Sequence, residues 1–311
     1  MDFPIIDLSD GFDEHEETQK LRSACEVHGF FLIKGLPMEQ CRAALEQSIA
    51  FFRLPMEEKM KLVEDDAHGY IPFGKITLDP IKQKEPDTRE LWALGAERRE
   101  NMNPDCEAYG YNKWPNAELL PDFKTTMLKY NELMHDTCRK LNHIIAAALD
   151  LPADYFDSMF GRDTISALRP VHYSEQLSDP ENGRFGTGEH SDWGMTTILL
   201  TDGNQGLQVK IDGEWTDIKE PAGTLICNIG DMLERWTNGR FKSTMHRVVN
   251  KRGVERFSLP FFLNPRPEVV ISSLPTCGAS DIPDIECGEY IVRRHRECGE
   301  AERNSMKITA V

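Results

Sequence analysis

The feature that most constrains this chain is His190-Ser191-Asp192 together with the distant His246. Side chains alternate along an extended strand, so residues two apart share a face, and His190 and Asp192 aim an imidazole and a carboxylate at one point. If His246 joins them, two well-separated strands must be brought together. Ten residues beyond His246, Arg256-Phe257-Ser258 places a second pair of polar residues at the same spacing inside an otherwise apolar run, Phe257 to Phe262. An arginine and a hydroxyl on one strand face are suited to gripping a carboxylate.

Either histidine alone would be read as an ordinary core or surface residue. The ordered set, H-x-D, then His246, then R-x-S, carries the metal reading. Two imidazoles and one carboxylate on one side of an ion leave the opposite positions open, an arrangement suited to non-haem Fe(II).

The 311 residues, 40% hydrophobic, suffice for one large core or a core with an attached smaller layer. A net charge of −16 argues against nucleic acid and anionic membrane surfaces, which reward basic patches. The N-terminus lacks the basic start and apolar stretch of a secretory signal, and no apolar run reaches the ~20 residues of a membrane helix. The eight cysteines are scattered, with Cys25, Cys41 and Cys138 inside helical patterns, so reduced thiols in a cytoplasmic protein are expected. Cys277, Cys287 and Cys298 lack a partner pair at zinc spacing. Nothing in the sequence indicates oligomerisation, and a monomer is expected.

Along the chain, Phe3 to Leu8 reads as a strand, followed by a helix to Val27 that stops at Gly29. Phe30 to Ile33 reads as a buried strand, Pro37 to Phe52 as an amphipathic helix, and Pro55 opens a short one. From Asp65 to Gly95 the pattern breaks into glycine, proline and charge, with Tyr70, Phe73 and Lys75 suited to substrate contact and equally to an ordinary connection. Arg89 to Leu94, with Trp92, reads as a strand. Pro121 to Leu149 carries an apolar residue every three or four positions, a long scaffold helix on which His135 and His143 are structural. Beyond it come short strands: Thr164–Tyr173, Met195–Leu200, Leu207–Ile211, Trp215–Ile218, Thr224–Ile229, Thr244–Asn250 and Phe257–Leu263. Asp212-Gly213 marks a hairpin, and Asp231 is placed to cap a helical turn ending near Asn238-Gly239. The pattern predicts a jelly roll or barrel.

The segment from Asn228 to Val248, with H-x-D upstream and R-x-S-x-P-F-F downstream, resembles the isopenicillin N synthase-like family of 2-oxoglutarate/Fe(II)-dependent dioxygenases. Phe3 to Leu8 and Gly29-Phe30-Phe31 resemble that family's leading segment, so the likeness covers nearly the whole chain. It implies a mainly β fold with helices: a double-stranded β-helix (jelly-roll) core braced by a long helix and an N-terminal α/β layer. The division expected is 1–120 for the N-terminal α/β segment and 121–311 for the long helix, core and C-terminal helix, forming one compact unit.

By the resemblance, His190, Asp192 and His246 match the iron ligands, Arg256 and Ser258 match the pair holding the distal carboxylate of 2-oxoglutarate, and Tyr173 matches a tyrosine assisting there. Two departures flank Tyr173: Val171 where many members have asparagine, and Ser174 in place of a common proline. The activity implied is oxidation of a small-molecule metabolite of secondary metabolism by hydroxylation, desaturation or oxidative cyclisation, using O2 and releasing succinate and CO2, with ascorbate in support. Substrate-contact candidates are Tyr70, Phe73, Lys75, Trp92, Trp193, Phe262 and Asn264; a pocket-facing Lys75 would favour a carboxylate-bearing substrate. The alternatives are an Fe(II)/O2 oxidase of the same family that does not use 2-oxoglutarate, and a non-catalytic sensor on the same fold.

Overall fold

The computed structural model describes residues 2–63, 68–79, 82–97, 109–161 and 163–294, so Asp65 and Cys298 lie outside the described residues. The chain opens with β1 (Ile5–Asp7), α1 (Glu14–Val27), β2 (Phe30–Lys34), α2 (Met38–Phe52), α3 (Met56–Met60), β3 (Gly69–Ile71) and β4 (Arg89–Gly95). The long α4 (Phe123–Ala148) follows. Then come β5 (Ser166–Leu168), β6 (Val171–Tyr173), β7 (Thr187–His190), β8 (Thr196–Thr201), β9 (Leu207–Ile211), β10 (Glu214–Asp217) and β11 (Leu225–Ile229). After the short α5 (Asp231–Trp236) the chain forms β12 (His246–Val248), β13 (Arg256–Leu263), β14 (Val270–Ile271) and β15 (Ile285–Glu286), then a helical segment at 287–294.

Apart from the short β14-β15 pair, the described strands form two facing sheets. The larger runs β1-β2-β11-β8-β13-β5-β4-β3, with β6 joined to both β13 and β4; the smaller runs β10-β9-β12-β7. Leu32, Leu91, Val171 and Ile226 from the large sheet meet Leu207, Val209 and Val248 from the small one in an apolar cluster between them. The opposite face of the large sheet is covered by α1, α2 and α4. On α4, Phe123, Met127, Tyr130, Met134, Cys138, Leu141 and Ile145 are buried as one stripe, which is why an isolated amphipathic helix of this length holds its place on the sheet. The result is a mainly β double-stranded β-helix braced by a long helix.

β1 pairs with β2, and β2 pairs antiparallel with β11, so the first strands of the chain complete the sheet that carries part of the site. Asp212 and Gly213 both adopt positive φ (49° and 87°) between β9 and β10, as a two-residue hairpin turn requires.

Three expectations change in detail. Thr164 to Tyr173 is two strands rather than one, broken at Arg169-Pro170, where proline offers no N–H to a ladder. The position that caps α5 is Gly230, and Asp231 is its first residue. His190 ends β7, so Asp192 lies in the loop beyond the strand. Among the described residues Cys25, Cys41, Cys138, Cys227 and Cys277 are free thiols. Among the described residues no helix is long and apolar enough to cross a membrane.

Candidate metal centre

His190 and His246 stand directly opposite each other on β7 and β12 of the small sheet, and their rings are 4.1 Å apart. Asp192 reaches them from the loop that crosses from β7 to β8, between the two sheets. Its Oδ1 lies 3.8 Å from His190 Nε2 and 3.6 Å from His246 Nε2. One ligand atom from each residue fits within 4.8 Å of the other two.

Each ligand is held by a specific partner. The Nδ1–H of His190 donates to the Gly188 carbonyl at 2.9 Å, and that of His246 to the Thr244 carbonyl at 3.1 Å. With Nδ1 committed, each Nε2 is the lone-pair nitrogen turned toward Asp192. Oδ2 of Asp192 accepts from Thr197 Oγ1 at 2.5 Å and Asn228 Nδ2 at 2.7 Å, leaving Oδ1 to face the imidazoles. Burial, then the neighbouring His246, pushes the His190 pKa well below its ordinary value, so that ring is neutral and able to ligate. Burial opposes the Asp192 carboxylate, yet its pKa lies below the ordinary value, the Asn228 and Thr197 bonds being among the groups that favour the charged form. Asp192 and His246 are 6% and 9% exposed, whereas His190 keeps 22%, so the centre opens on the His190 side.

The loop carrying Asp192 is clamped from behind. Asp231 N–H donates to the Asp192 carbonyl at 2.7 Å, and the Asp231 carboxylate accepts from Ser191 Oγ (3.0 Å), Ser243 Oγ (2.6 Å) and Arg294 Nη1 (2.8 Å). This packing needs glycine at position 230, where a Cβ would stand 2.2 Å from the Gly194 carbonyl oxygen.

Arg256 and Ser258 lie on β13 of the large sheet, and Arg256 is the cross-strand partner of Tyr173. The Arg256 guanidinium rests 5.0 Å from the centre of the Tyr173 ring, and its Nε donates to the Asn204 carbonyl at 3.1 Å. Arg256 Nη1 and Ser258 Oγ are buried without a hydrogen-bond partner. An uncompensated buried guanidinium N–H beside an uncompensated hydroxyl is costly unless a ligand supplies the acceptor, and a carboxylate fits both.

The substrate-contact candidates divide. Tyr70 and Trp92 are fully buried on the helix-covered face: the Tyr70 hydroxyl donates to Glu90, and Trp92 Nε1 donates to the Lys113 carbonyl at 2.9 Å. Phe73 sets its edge on His172, 5.6 Å away, and lines a cavity of about 380 Å³ with Pro86, Asp87 and Ser174 that includes none of the three ligands. Lys75 is exposed. Trp193 is half-buried beneath the Arg294 guanidinium. Asn264 accepts the Met195 N–H at 3.2 Å, bracing the loop after Asp192. Phe262 stands opposite Thr197, the residue that steadies Asp192, and is half-buried. Thr197 and Asn228 were not among the residues singled out from the sequence; a polar residue in each of two apolar strands was the signal.

Residues 165–265 match the model of the 2OG-Fe(II) oxygenase superfamily, and residues 3–117 match that of the non-haem dioxygenase in morphine synthesis N-terminal region. Kihadalactone A synthase LFS of Citrus sinensis is 36% identical over 308 residues, spanning 94% of this chain and 91% of the relative. A full-length Neurospora crassa protein, solved in complex with alpha-KG, superposes with a TM-score of 0.82 at 29% identity, covering 94% of this chain and 95% of that one. JOX2 in complex with 2OG, Fe and JA superposes with a TM-score of 0.78 at 28% identity, covering 94% and 84%.

Proposed function

Because this chain belongs to the 2OG-Fe(II) oxygenase superfamily, we propose that it oxidises a small-molecule metabolite, coupling hydroxylation, desaturation or oxidative cyclisation to the conversion of 2-oxoglutarate and O2 into succinate and CO2. His190 Nε2, Asp192 Oδ1 and His246 Nε2 hold Fe(II). Arg256 and Ser258 take the far carboxylate of 2-oxoglutarate, with Tyr173 packed beside the guanidinium. The single observation that carries the reading is the coincidence of two unfinished groups in one fold: a ligand triad whose outer atoms are all committed, and a buried Arg256 Nη1 and Ser258 Oγ with no acceptor.

When bound, the iron and its co-substrate supply the oxidising chemistry; the protein supplies positions. Gly188, Thr244, Thr197 and Asn228 fix which atoms ligate, and Arg256 fixes the orientation of the keto acid because its planar fork matches a carboxylate. The apolar cluster between the sheets includes Tyr173, against which the Arg256 guanidinium rests. The segments 1–120 and 121–311 act as one catalytic unit, a reading supported by the pairing of β2 with β11 and of β4 with β5 and β6. Free thiols at Cys25, Cys41, Cys138, Cys227 and Cys277 support a cytoplasmic setting, and a relative named for the synthesis of kihadalactone A supports a role in secondary metabolism.

The test is succinate release by the purified protein with Fe(II), ascorbate, 2-oxoglutarate and a panel of small metabolites. Substrate-stimulated succinate in the wild type, lost in His246→Ala, is expected. A metabolite oxidised with no succinate above background would overturn the reading.

A further inference from the structure

Arg89 opens β4, and its cross-strand partner is Tyr173, which in turn pairs with Arg256. Directly opposed residues of antiparallel strands project to one face, so Arg89, Tyr173 and Arg256 form a row facing between the sheets. The next row, Leu91, Val171 and Ser258, includes two members of the apolar cluster there.

A buried carboxylate fixes how Arg89 sits. Asp87 accepts from Arg89 Nε at 3.0 Å, and its other oxygen accepts from Gln83 Nε2 at 2.8 Å and from the backbone N–H of Gly188 at 2.9 Å. Gly188 is the residue whose carbonyl orients His190. The guanidinium is thus tied through Asp87 to the strand that ends in the metal ligand, and its charge is one of those felt by His190. Only Nε is used: neither Nη atom has a hydrogen-bond partner among the described residues, in a side chain left just 11% exposed. A simple counter-ion for Asp87 would need one contact and would not leave a largely buried fork without acceptors.

We infer that Arg89 is a substrate-binding residue whose two Nη groups receive a carboxylate of the molecule being oxidised, so that the preferred substrates are small organic acids. This rests on the proposed function, in which Arg256 already serves 2-oxoglutarate and the second fork is left for the other reactant. The bidentate geometry favours a planar carboxylate over its ester, which carries no charge.

The test uses anaerobic protein loaded with Fe(II) and 2-oxoglutarate, titrated with a panel of small carboxylic acids, each paired with its methyl ester, while the visible band of the iron–keto acid chromophore is followed. In the wild type, acids should perturb the band at concentrations at least about tenfold below their esters, the discrimination expected of a charge-assisted pair. Arg89→Gln should erase that preference with the 2-oxoglutarate titration unchanged, and Arg89→Lys should restore part of it. Because Arg89→Gln leaves Asp87 buried without its cation, the double variant Asp87→Asn with Arg89→Gln is measured alongside and should behave as Arg89→Gln does. The inference is overturned if the acid preference survives Arg89→Gln, if esters act as well as acids, if no acid in the panel perturbs the band, or if Arg89→Gln instead raises the 2-oxoglutarate requirement. Failure of the chromophore to form in the wild type would strike the proposed function itself.

Discussion

The two faces of β4, β6 and β13 carry charged rows one residue out of step, and the rows are finished differently. Toward the helices, Glu90, His172 and Phe257 align. Glu90 there accepts from Lys59 Nζ at 2.7 Å, from the Tyr70 hydroxyl and from His172 Nδ1 at 2.7 Å. His172 reaches Glu255 through its other nitrogen and stacks on Phe257 at 4.7 Å. Toward the small sheet, Arg89, Tyr173 and Arg256 align, and Arg256 Nη1 and Ser258 Oγ have no partner. A buried ionic group whose partners are all protein is architecture; one left short of an acceptor is waiting for a ligand.

The sharpest way to break this contrast is at the ligands. His246→Ala should reduce turnover to background while leaving the thermal transition of the metal-free protein nearly unchanged, checked by iron content and calorimetry. On the opposite face, Glu90→Ala should leave Lys59 buried without its counter-charge and cost about 3–5 kcal/mol of stability, read by denaturant unfolding. The folded fraction of that variant should retain its 2-oxoglutarate affinity; a selective loss of co-substrate binding would erase the distinction between the faces. Arg256→Lys should raise the 2-oxoglutarate concentration for half-saturation about tenfold, because an ammonium cannot reproduce the fork, with little change in stability.

The smallest effect concerns pH. Burial opposes the Glu90 carboxylate, but His172, Lys59 and Tyr70 together hold its pKa below the ordinary 4.5. A folded pKa lower than the unfolded one means the unfolded chain binds more protons in acid, so Glu90 contributes stability above about 4.5 that fades as pH falls through the depressed value. Unfolding of Glu90→Gln should therefore vary less steeply with pH below 4.5 than that of the wild type. An unchanged slope would show that other carboxylates carry the acid sensitivity.

Much of this was legible in the sequence because it is written in short periods. The stripe from Phe123 to Ala148, the Asp212-Gly213 turn and the R-x-S pair are all local patterns, and the structure forms a helix, a hairpin and a strand at each. The H-x-D motif was read as two residues on one strand; Asp192 instead lies past the strand end, and Thr197, Asn228 and the α5 N-terminus hold it in place. Strand parity was the harder quantity. Trp92 attracts attention as an aromatic, but it belongs to the row that faces the helices, while its unremarked neighbour Leu91 and the arginine two residues before that face between the sheets. Tyr70 is Trp92's cross-strand partner and shares its direction. Only the pairing of β6 with both β4 and β13 decides which residue of each couple looks inward, and that pairing joins positions far apart in the sequence.

The most direct measurement is an anaerobic titration of the purified protein with Fe(II) and then 2-oxoglutarate. One iron per chain and a visible iron–keto acid band should appear in the wild type, vanish in His246→Ala and demand more 2-oxoglutarate in Arg256→Lys. A wild-type protein that takes up no iron, or a His246→Ala variant that forms the band undiminished, would contradict the three-ligand centre.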